Sequence, residues 1–249
     1  MLLKLTFSYD GSKFQGSATQ PHKLSVQDTL AQALSHLGIY EKPLFASRTD
    51  KGVHAFNAVA CVKAGEHFKD FVYLKNKINH FAHPFIHIKH IQRMQENFQV
   101  RFDVQKRAYR YIISHEKYNP FLASYVHFYP KINIKLAKEI AFLFEGEHDF
   151  KLFQKEGSDN KTSIRKMYKT RVYAYKNYTV FYFEANGFLR SQIRMMMASI
   201  LKVLEGKMSQ NELLEQINAK KAHCRFLAPA SGLYLSKISY YNNAWFFYV

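Results

Sequence analysis

Apolar and polar residues alternate through LLKLTFSY, residues 2–9, and a period of two predicts a strand with one buried face. The period lengthens in SVQDTLAQALSHLG, residues 25–38. There Val26, Leu30, Ala33, Leu34 and Leu37 form one helical stripe, with Ser25 placed to cap it, Asp28 three residues on, and Gly38 to stop it. Strands are predicted at PLFAS (43–47) and FNAVACVKA (56–64), a helix at FKDFVYLKNKINH (68–80), and a further strand at FIHIKHIQRM (85–94). That order is β-α-β-β-α-β, the ferredoxin-like unit.

The order repeats after residue 105. RAYRYIIS (107–114) reads as a strand and IKLAKEIAFLF (134–144) as a helix. SIRKMYKTRVYAY and YTVFYFEA form a hairpin closed by Lys176 and Asn177. FLRSQIRMMMASILKVLEG (188–206) reads as a helix and GLYLSKISYY (232–241) as a strand. The halves share almost no residue-level similarity, so the repeat is architectural. No Pro- or Gly-rich linker separates them, and ENFQVRFDVQKR (96–107) is the best boundary. The expectation is an α+β protein with an N-terminal half over 1–105 and a C-terminal half over 106–249. A cleft between two such units is where a site would form.

Composition adds a partner. Thirty-six Lys and Arg against 19 Asp and Glu give a formal charge of +17, which suits a polyanion such as nucleic acid, although an AT-rich codon bias produces a similar excess. Aromatics at 16% supply stacking surface for unpaired bases as well as core. The two cysteines, Cys61 and Cys224, make no disulfide framework and no CxxC metal spacing, so a reducing, cytoplasmic compartment is expected. In HFAHPFIHIKH (80–90), strand periodicity puts His87 and His90 on opposite faces, and the spacing matches no zinc pattern; no metal is expected. The best apolar run, MMMASILKVL, is short and broken by Lys202, so no membrane association is expected either. FQKEGSDNKTS (153–163) is the one strongly polar loop and a candidate for RNA contact.

SRTDKGVHA, residues 47–55, concentrates charge where a strand ends and a turn begins. Arg48 and Asp50 are placed to point into a cleft. Alone, the pair reads first as a solvated turn; the functional alternative is that Asp50 is a nucleophile or general base kept ionised by a neighbouring guanidinium.

The stretch resembles the G-R-T-D-A-G-V-H-A signature of the tRNA pseudouridine synthase A family. Six further pieces resemble that family's elements in its order: YDGSKFQG at Tyr9, SVQDTLAQAL at Ser25, Arg101-Phe102 with Tyr109-Arg110-Tyr111, EGEHDF with TSIR, NGFLRSQIRMMMASI, and APASGLYL. The resemblance covers essentially the whole chain. The sequence departs from the pattern at Ser17 (usually Trp), Ser47 (usually Gly), Lys51 (usually Ala), Arg190 (often His) and Ala198 (often Gly), and none of these removes a residue that the chemistry requires.

The resemblance implies a pseudouridine synthase fold with a central, largely antiparallel sheet. It implies isomerisation of uridine to pseudouridine at positions 38–40 of the tRNA anticodon stem-loop, without cofactor or metal, by a homodimer. Asp50 would attack the ribose or drive glycal formation, Arg48 would displace the base, Tyr109 would stack on the uracil and handle a proton, and Arg194 would pair with the aspartate. Lys51, His54, Arg165 and Arg190 are expected among the substrate contacts. Read singly, Tyr109 is a sheet residue sharing a face with Tyr111 and Ile113, and Arg194 is a solvated arginine four residues after Arg190 on a helix with an apolar stripe of Leu189, Ile193, Met196, Met197, Ile200 and Leu204. The competing readings are a pseudouridine synthase for another RNA and a non-catalytic RNA-binding protein, the latter disfavoured because no RNP-type aromatic motif is present. YYNNAWFFYV at the C-terminus is a candidate interface.

Overall fold

The structure is a computed structural model describing residues 1–19, 21, 24–157 and 161–241. Its strands are β1 (Leu2–Tyr9), β2 (Leu44–Phe45), β3 (His54–Lys63), β4 (Ile86–Met94), β5 (Val104–Ser114), β6 (His127–Phe128), β7 (Gly146–Asp149), β8 (Ile164–Tyr175), β9 (Tyr178–Ala185) and β10 (Leu233–Tyr240). Its helices are α1 (Val26–Ser35), α2 (Phe71–Ala82), α3 (Ile134–Phe142), α4 (Gln192–Leu204) and α5 (Gln210–Ile217). The chain is α+β and divides into two compact units, Lys106–Leu233 and a unit made of Met1–Gln105 with the chain from Tyr234 on.

In the first unit β1 lies between β4 and β3, antiparallel to both. The far edge of β3 is shared. Phe45 of β2 pairs there with Ala60, and Tyr234 and Leu235 of β10 run parallel to His54 and Ala55. PLFAS contributes only two strand residues, and the Ala46 N–H adds one further bond, to the Val59 carbonyl at 2.9 Å. The C-terminal strand, expected in the second half, is tied to the first by the donation of Asn57 Nδ2 to the Ser236 carbonyl (2.8 Å) and of the Tyr240 hydroxyl to the Val100 carbonyl (2.9 Å). Leu3, Leu5 and Phe7 of β1 are fully buried, as are Leu30 and Leu34 of α1 and Ile78 of α2, so the period-two and period-3.6 stripes meet in one core.

Local chemistry sets the element ends. The Ser25 hydroxyl accepts the Asp28 N–H as an N-cap, and α1 ends at Ser35, leaving Leu37 in the turn before Gly38, whose φ is +75°. Helix α2 starts at Phe71 because the Asp70 carboxylate accepts the Tyr73 N–H at 2.8 Å. One expectation is corrected on β4. Its register with β1 jumps from Ile88 opposite Phe7 to His90 opposite Thr6, so Lys89 is an extra residue. His87, opposite Ser8, and His90, opposite Thr6, therefore share a face: the alternation rule fails across a bulge.

The second unit has the antiparallel order β5-β9-β8-β7, with β6 parallel to the end of β5. The β8-β9 hairpin closes at Lys176, in the left-handed region at φ 53°, and Asn177, as its sequence predicts. Helix α4 begins at Gln192 rather than Phe188. Ser191 is left-handed (φ 61°), and the Leu189 N–H donates to Gln192 Oε1 at 2.8 Å, which holds residues 188–191 in a turn. Arg190 is thus on that turn, not on the helix. All residues of α4 except Arg194, Lys202 and Leu204 are buried, so the predicted single stripe understates a helix enclosed by α3, α5 and the 3₁₀ turn at Phe150–Phe153. Ser158–Asn160 of the polar loop, and all of YYNNAWFFYV after Tyr241, lie outside the described residues.

Candidate active site

The Arg48–Asp50 segment runs from the end of β2 to a turn in which the Val53 N–H donates to the Asp50 carbonyl at 3.2 Å and Gly52 takes φ +79°. Its middle residue is clamped. The Thr49 N–H donates to Ser17 Oγ (2.7 Å), the Thr49 carbonyl accepts the Ser17 N–H (3.1 Å), and the Thr49 hydroxyl shares a hydrogen bond with Tyr9 (2.7 Å). Ser17 is 1% exposed. Around this clamp Thr49 and Asp50 are half-exposed, and Arg48 and Lys51 are exposed.

The YDGSKFQG stretch is the floor of this loop. A Cβ on Gly11 would stand 2.0 Å from the Val53 carbonyl oxygen, so only glycine permits the approach; at Gly16, φ is +116° and the Thr49 carbonyl lies 3.1 Å from the place of a Cβ. The Gly11 N–H donates to His54 Nδ1 at 3.1 Å, and Asp10 Oδ1 is 3.4 Å from the same nitrogen. His54 is 2% exposed and its ring stacks on Tyr234 at 4.7 Å. Expected to touch substrate, His54 instead ties the loop's end to its floor, because burial and these partners take up its ring. Arg101 is a basic neighbour that sequence reasoning left without a role. Its Nε donates to the Phe45 carbonyl at 3.0 Å, and its pKa is lowered by burial and then by the charge of Arg48.

In the second unit Tyr109 is 6% exposed on β5, and Tyr111 and Ile113 on the same face are buried, as the alternation predicts. The Tyr109 ring meets Phe188 edge-on at 5.2 Å. The Tyr111 hydroxyl donates to the Pro229 carbonyl (2.9 Å) and is 3.1 Å from His127 Nδ1; burial pushes its pKa up, against the nearby charge of Arg194. A Cβ on Gly232 would be 2.9 Å from the Tyr111 ring. Arg194 is half-buried rather than solvated: its Nε donates to the Ala228 carbonyl at 2.8 Å, and its own carbonyl accepts the Ala228 N–H at 3.0 Å. The APASGLYL segment therefore fixes both Arg194 and the strand that carries Tyr109. Arg165 is half-buried at the start of β8, and Arg190 is exposed, its carbonyl accepting the Lys155 N–H at 3.1 Å. Thr49, Ser17 and Tyr111 stand in or beside motifs that the sequence shows, but their partners come from segments remote along the chain, so these contacts are not legible in sequence.

One α+β unit carries an acid-and-arginine loop and the other a buried tyrosine strand with a half-buried arginine on a nearby helix, and among the described residues no group of three or more His, Cys, Asp or Glu could hold a metal ion. A family profile described as tRNA pseudouridine synthase matches residues 140–241. Curated relatives named tRNA pseudouridine synthase A are 59% identical in Campylobacter jejuni (96% of this chain, 100% of the relative), 39% in Wolinella succinogenes (95% and 94%) and 37% in Helicobacter pylori (95% and 98%). The chain belongs to the tRNA pseudouridine synthase A family, and with it to the isomerases that convert uridine to pseudouridine. No helix among the described residues is long and apolar enough to cross a membrane.

Proposed function

We propose that this protein isomerises uridines at positions 38–40 in the anticodon stem-loop of tRNA, in the cytoplasm and as a homodimer. The observation that carries the reading is the three-bonded clamp on Thr49, which presents Arg48 and Asp50 on either side of a residue that cannot move freely. In this reading the N1–C1′ bond of the uridine breaks, the uracil turns, a C5–C1′ bond forms, C5 loses its proton and N1 gains one. Asp50 attacks C1′ or promotes the glycal, Arg48 fills the space that the flipped base leaves, Tyr109 stacks on the uracil and takes part in the proton transfer, and Arg194 is the cation that the family pattern assigns to the carboxylate. Lys51, Arg165 and Arg190 contact the RNA backbone.

Pseudouridine mapping in tRNA from cells lacking this protein tests the substrate. Loss confined to the anticodon arm, restored by the wild-type gene but not by Asp50→Asn, is expected; an intact anticodon arm overturns the assignment. With the purified protein, Asp50→Asn is expected to abolish turnover while tRNA affinity stays within a few-fold, because an amide keeps the shape of the carboxylate but is a poor nucleophile.

A further inference from the structure

Arg107 precedes Tyr109 by two residues, on the same face of β5. Its Nη1 donates to the Asn186 carbonyl at 3.1 Å, in the turn that also carries Phe188 to the edge of the Tyr109 ring. Arg165 comes to the same turn from β8. A Cβ built on Gly187 would lie 3.5 Å from Arg165 Nε and 4.0 Å from Arg107 Nη1, so the two guanidinium groups converge on the bare face of this glycine. Both arginines are half-buried. Burial, and then the charge of Arg107, lowers the pKa of Arg165, the cost expected of two like charges brought together away from bulk water.

Each guanidinium also bonds the backbone through Nη1, that of Arg107 to the Asn186 carbonyl and that of Arg165 to the Thr162 (2.9 Å) and Ile164 (2.7 Å) carbonyls. The turn is already fixed to β8 by two hydrogen bonds between Asn186 and Lys166, from the Lys166 N–H to Asn186 Oδ1 (3.0 Å) and from the Asn186 N–H to the Lys166 carbonyl (3.1 Å). A second guanidinium adds repulsion to a turn that needs no further pin. Gly187 is not required by its backbone either, since it is not among the positive-φ glycines, and a Cβ there would make only ordinary contacts. What two arginines and a missing side chain provide is a shallow seat for a phosphodiester monoanion, with a guanidinium on two sides. Neighbours two apart on a strand are about 6.6 Å apart, a separation comparable to that between a nucleotide's base and its own backbone phosphate.

We propose that Arg107 and Arg165, converging over Gly187, form a seat for a backbone phosphate of the nucleotide whose base lies on Tyr109. The proposal rests on the reading of Tyr109 as the residue that stacks on the target uracil, and it adds Arg107 and Gly187 to the substrate-binding residues.

The test is binding of a fluorescently labelled, unmodified transcript of a whole tRNA at several salt concentrations, together with steady-state turnover. Arg107→Gln and Arg165→Gln should each weaken binding about tenfold and flatten the log K against log[salt] slope, by up to about 0.9 for the loss of one phosphate contact. Because the two share one phosphate, the double variant should also lose about one contact's worth of slope rather than two. Gly187→Ala keeps both charges and only fills the seat; it should raise KM more than it lowers kcat. This variant covers the case in which an arginine replacement fails to fold. Variants that bind with wild-type Kd and wild-type slope overturn the seat. A wild-type protein that binds the transcript but forms no pseudouridine sinks the functional reading instead, with the slopes still deciding the seat, and a wild-type protein that does not bind it overturns both.

Discussion

Thr49 brings no chemistry of its own to the loop, yet three hydrogen bonds meet on it, and the residues on either side carry the proposed reaction. Ser17 supplies two of the three, at a position where the family pattern has tryptophan. Ser17→Ala should therefore leave the Thr49 N–H without its acceptor and cost about 1–3 kcal/mol of stability, read as a lower urea midpoint at unchanged m-value; an unchanged midpoint would show that water replaces the hydroxyl. At Tyr109 the effects of ring and hydroxyl separate by one oxygen atom. Phenylalanine keeps the stacking, worth about 1–3 kcal/mol per base, and removes the proton-transfer group. Tyr109→Phe should lose about 10²-fold or more in single-turnover rate with binding largely kept, whereas Tyr109→Ala should lose both. Near-wild-type rates for both variants would return Tyr109 to a purely structural place beside Phe188.

At the scale of elements, what could be read in advance was what depends on neighbours in sequence. The Ser25 cap, the α1 stripe as far as Leu34, the Lys176-Asn177 turn and the shared face of Tyr109, Tyr111 and Ile113 all follow from local spacing and all are present. What could not be read depends on partners far along the chain. β2 shares the β3 edge with β10, which pairs with His54 and Ala55, Lys89 bulges against β1, and α4 loses its first turn to the Gln192 side chain. The site divides the same way: Arg48 and Asp50 stand out as a charged pair, whereas the roles of Arg107 and Ser17 appear only when remote segments meet. Helix α5 was missed although its capping box, Ser209 with Glu212, is plain in SQNE.

The same scale carries a pH prediction at β6. The Tyr111 hydroxyl is committed as donor to Pro229, so His127 Nδ1 donates to the phenol oxygen, and burial lowers the pKa of His127 below 6.5. A histidine held neutral in the fold takes up a proton more readily once unfolded. Its contribution to stability is whole above about pH 6.5 and is lost as pH falls through the lower folded value. Between pH 7.5 and 5.5 the melting temperature of His127→Gln should fall less than that of the wild type; parallel curves would remove His127 as a cause of acid sensitivity.

At the scale of the whole molecule, the question is whether a charge of +17 has a use. Several basic residues are matched locally, Lys106 with Glu184, Lys207 with Glu205, Arg225 with Glu156 and Lys151 with Asp149, but these pairs are mostly exposed and worth little. With only 19 acidic residues against 36 basic ones, pairing cannot absorb the excess. Codon bias would scatter lysine and arginine without regard to partners. The structure instead sets Arg48 beside Arg101 in one unit and Arg107 beside Arg165 in the other, and after burial it is the charge of Arg48 that lowers the pKa of Arg101 and that of Arg107 that lowers the pKa of Arg165. Like charges held together at a surface, exposed in the first pair and half-buried in the second, are what a polyanion compensates. If tRNA is that polyanion and covers about six phosphates' worth of this surface, log K should fall against log[salt] with a slope near −5, because each phosphate neutralised releases close to one condensed cation. Measured between about 50 and 200 mM salt, a slope of that size would mean the charge is spent on RNA; a flat line would mean that the basic excess is compositional and that shape and stacking alone hold the substrate.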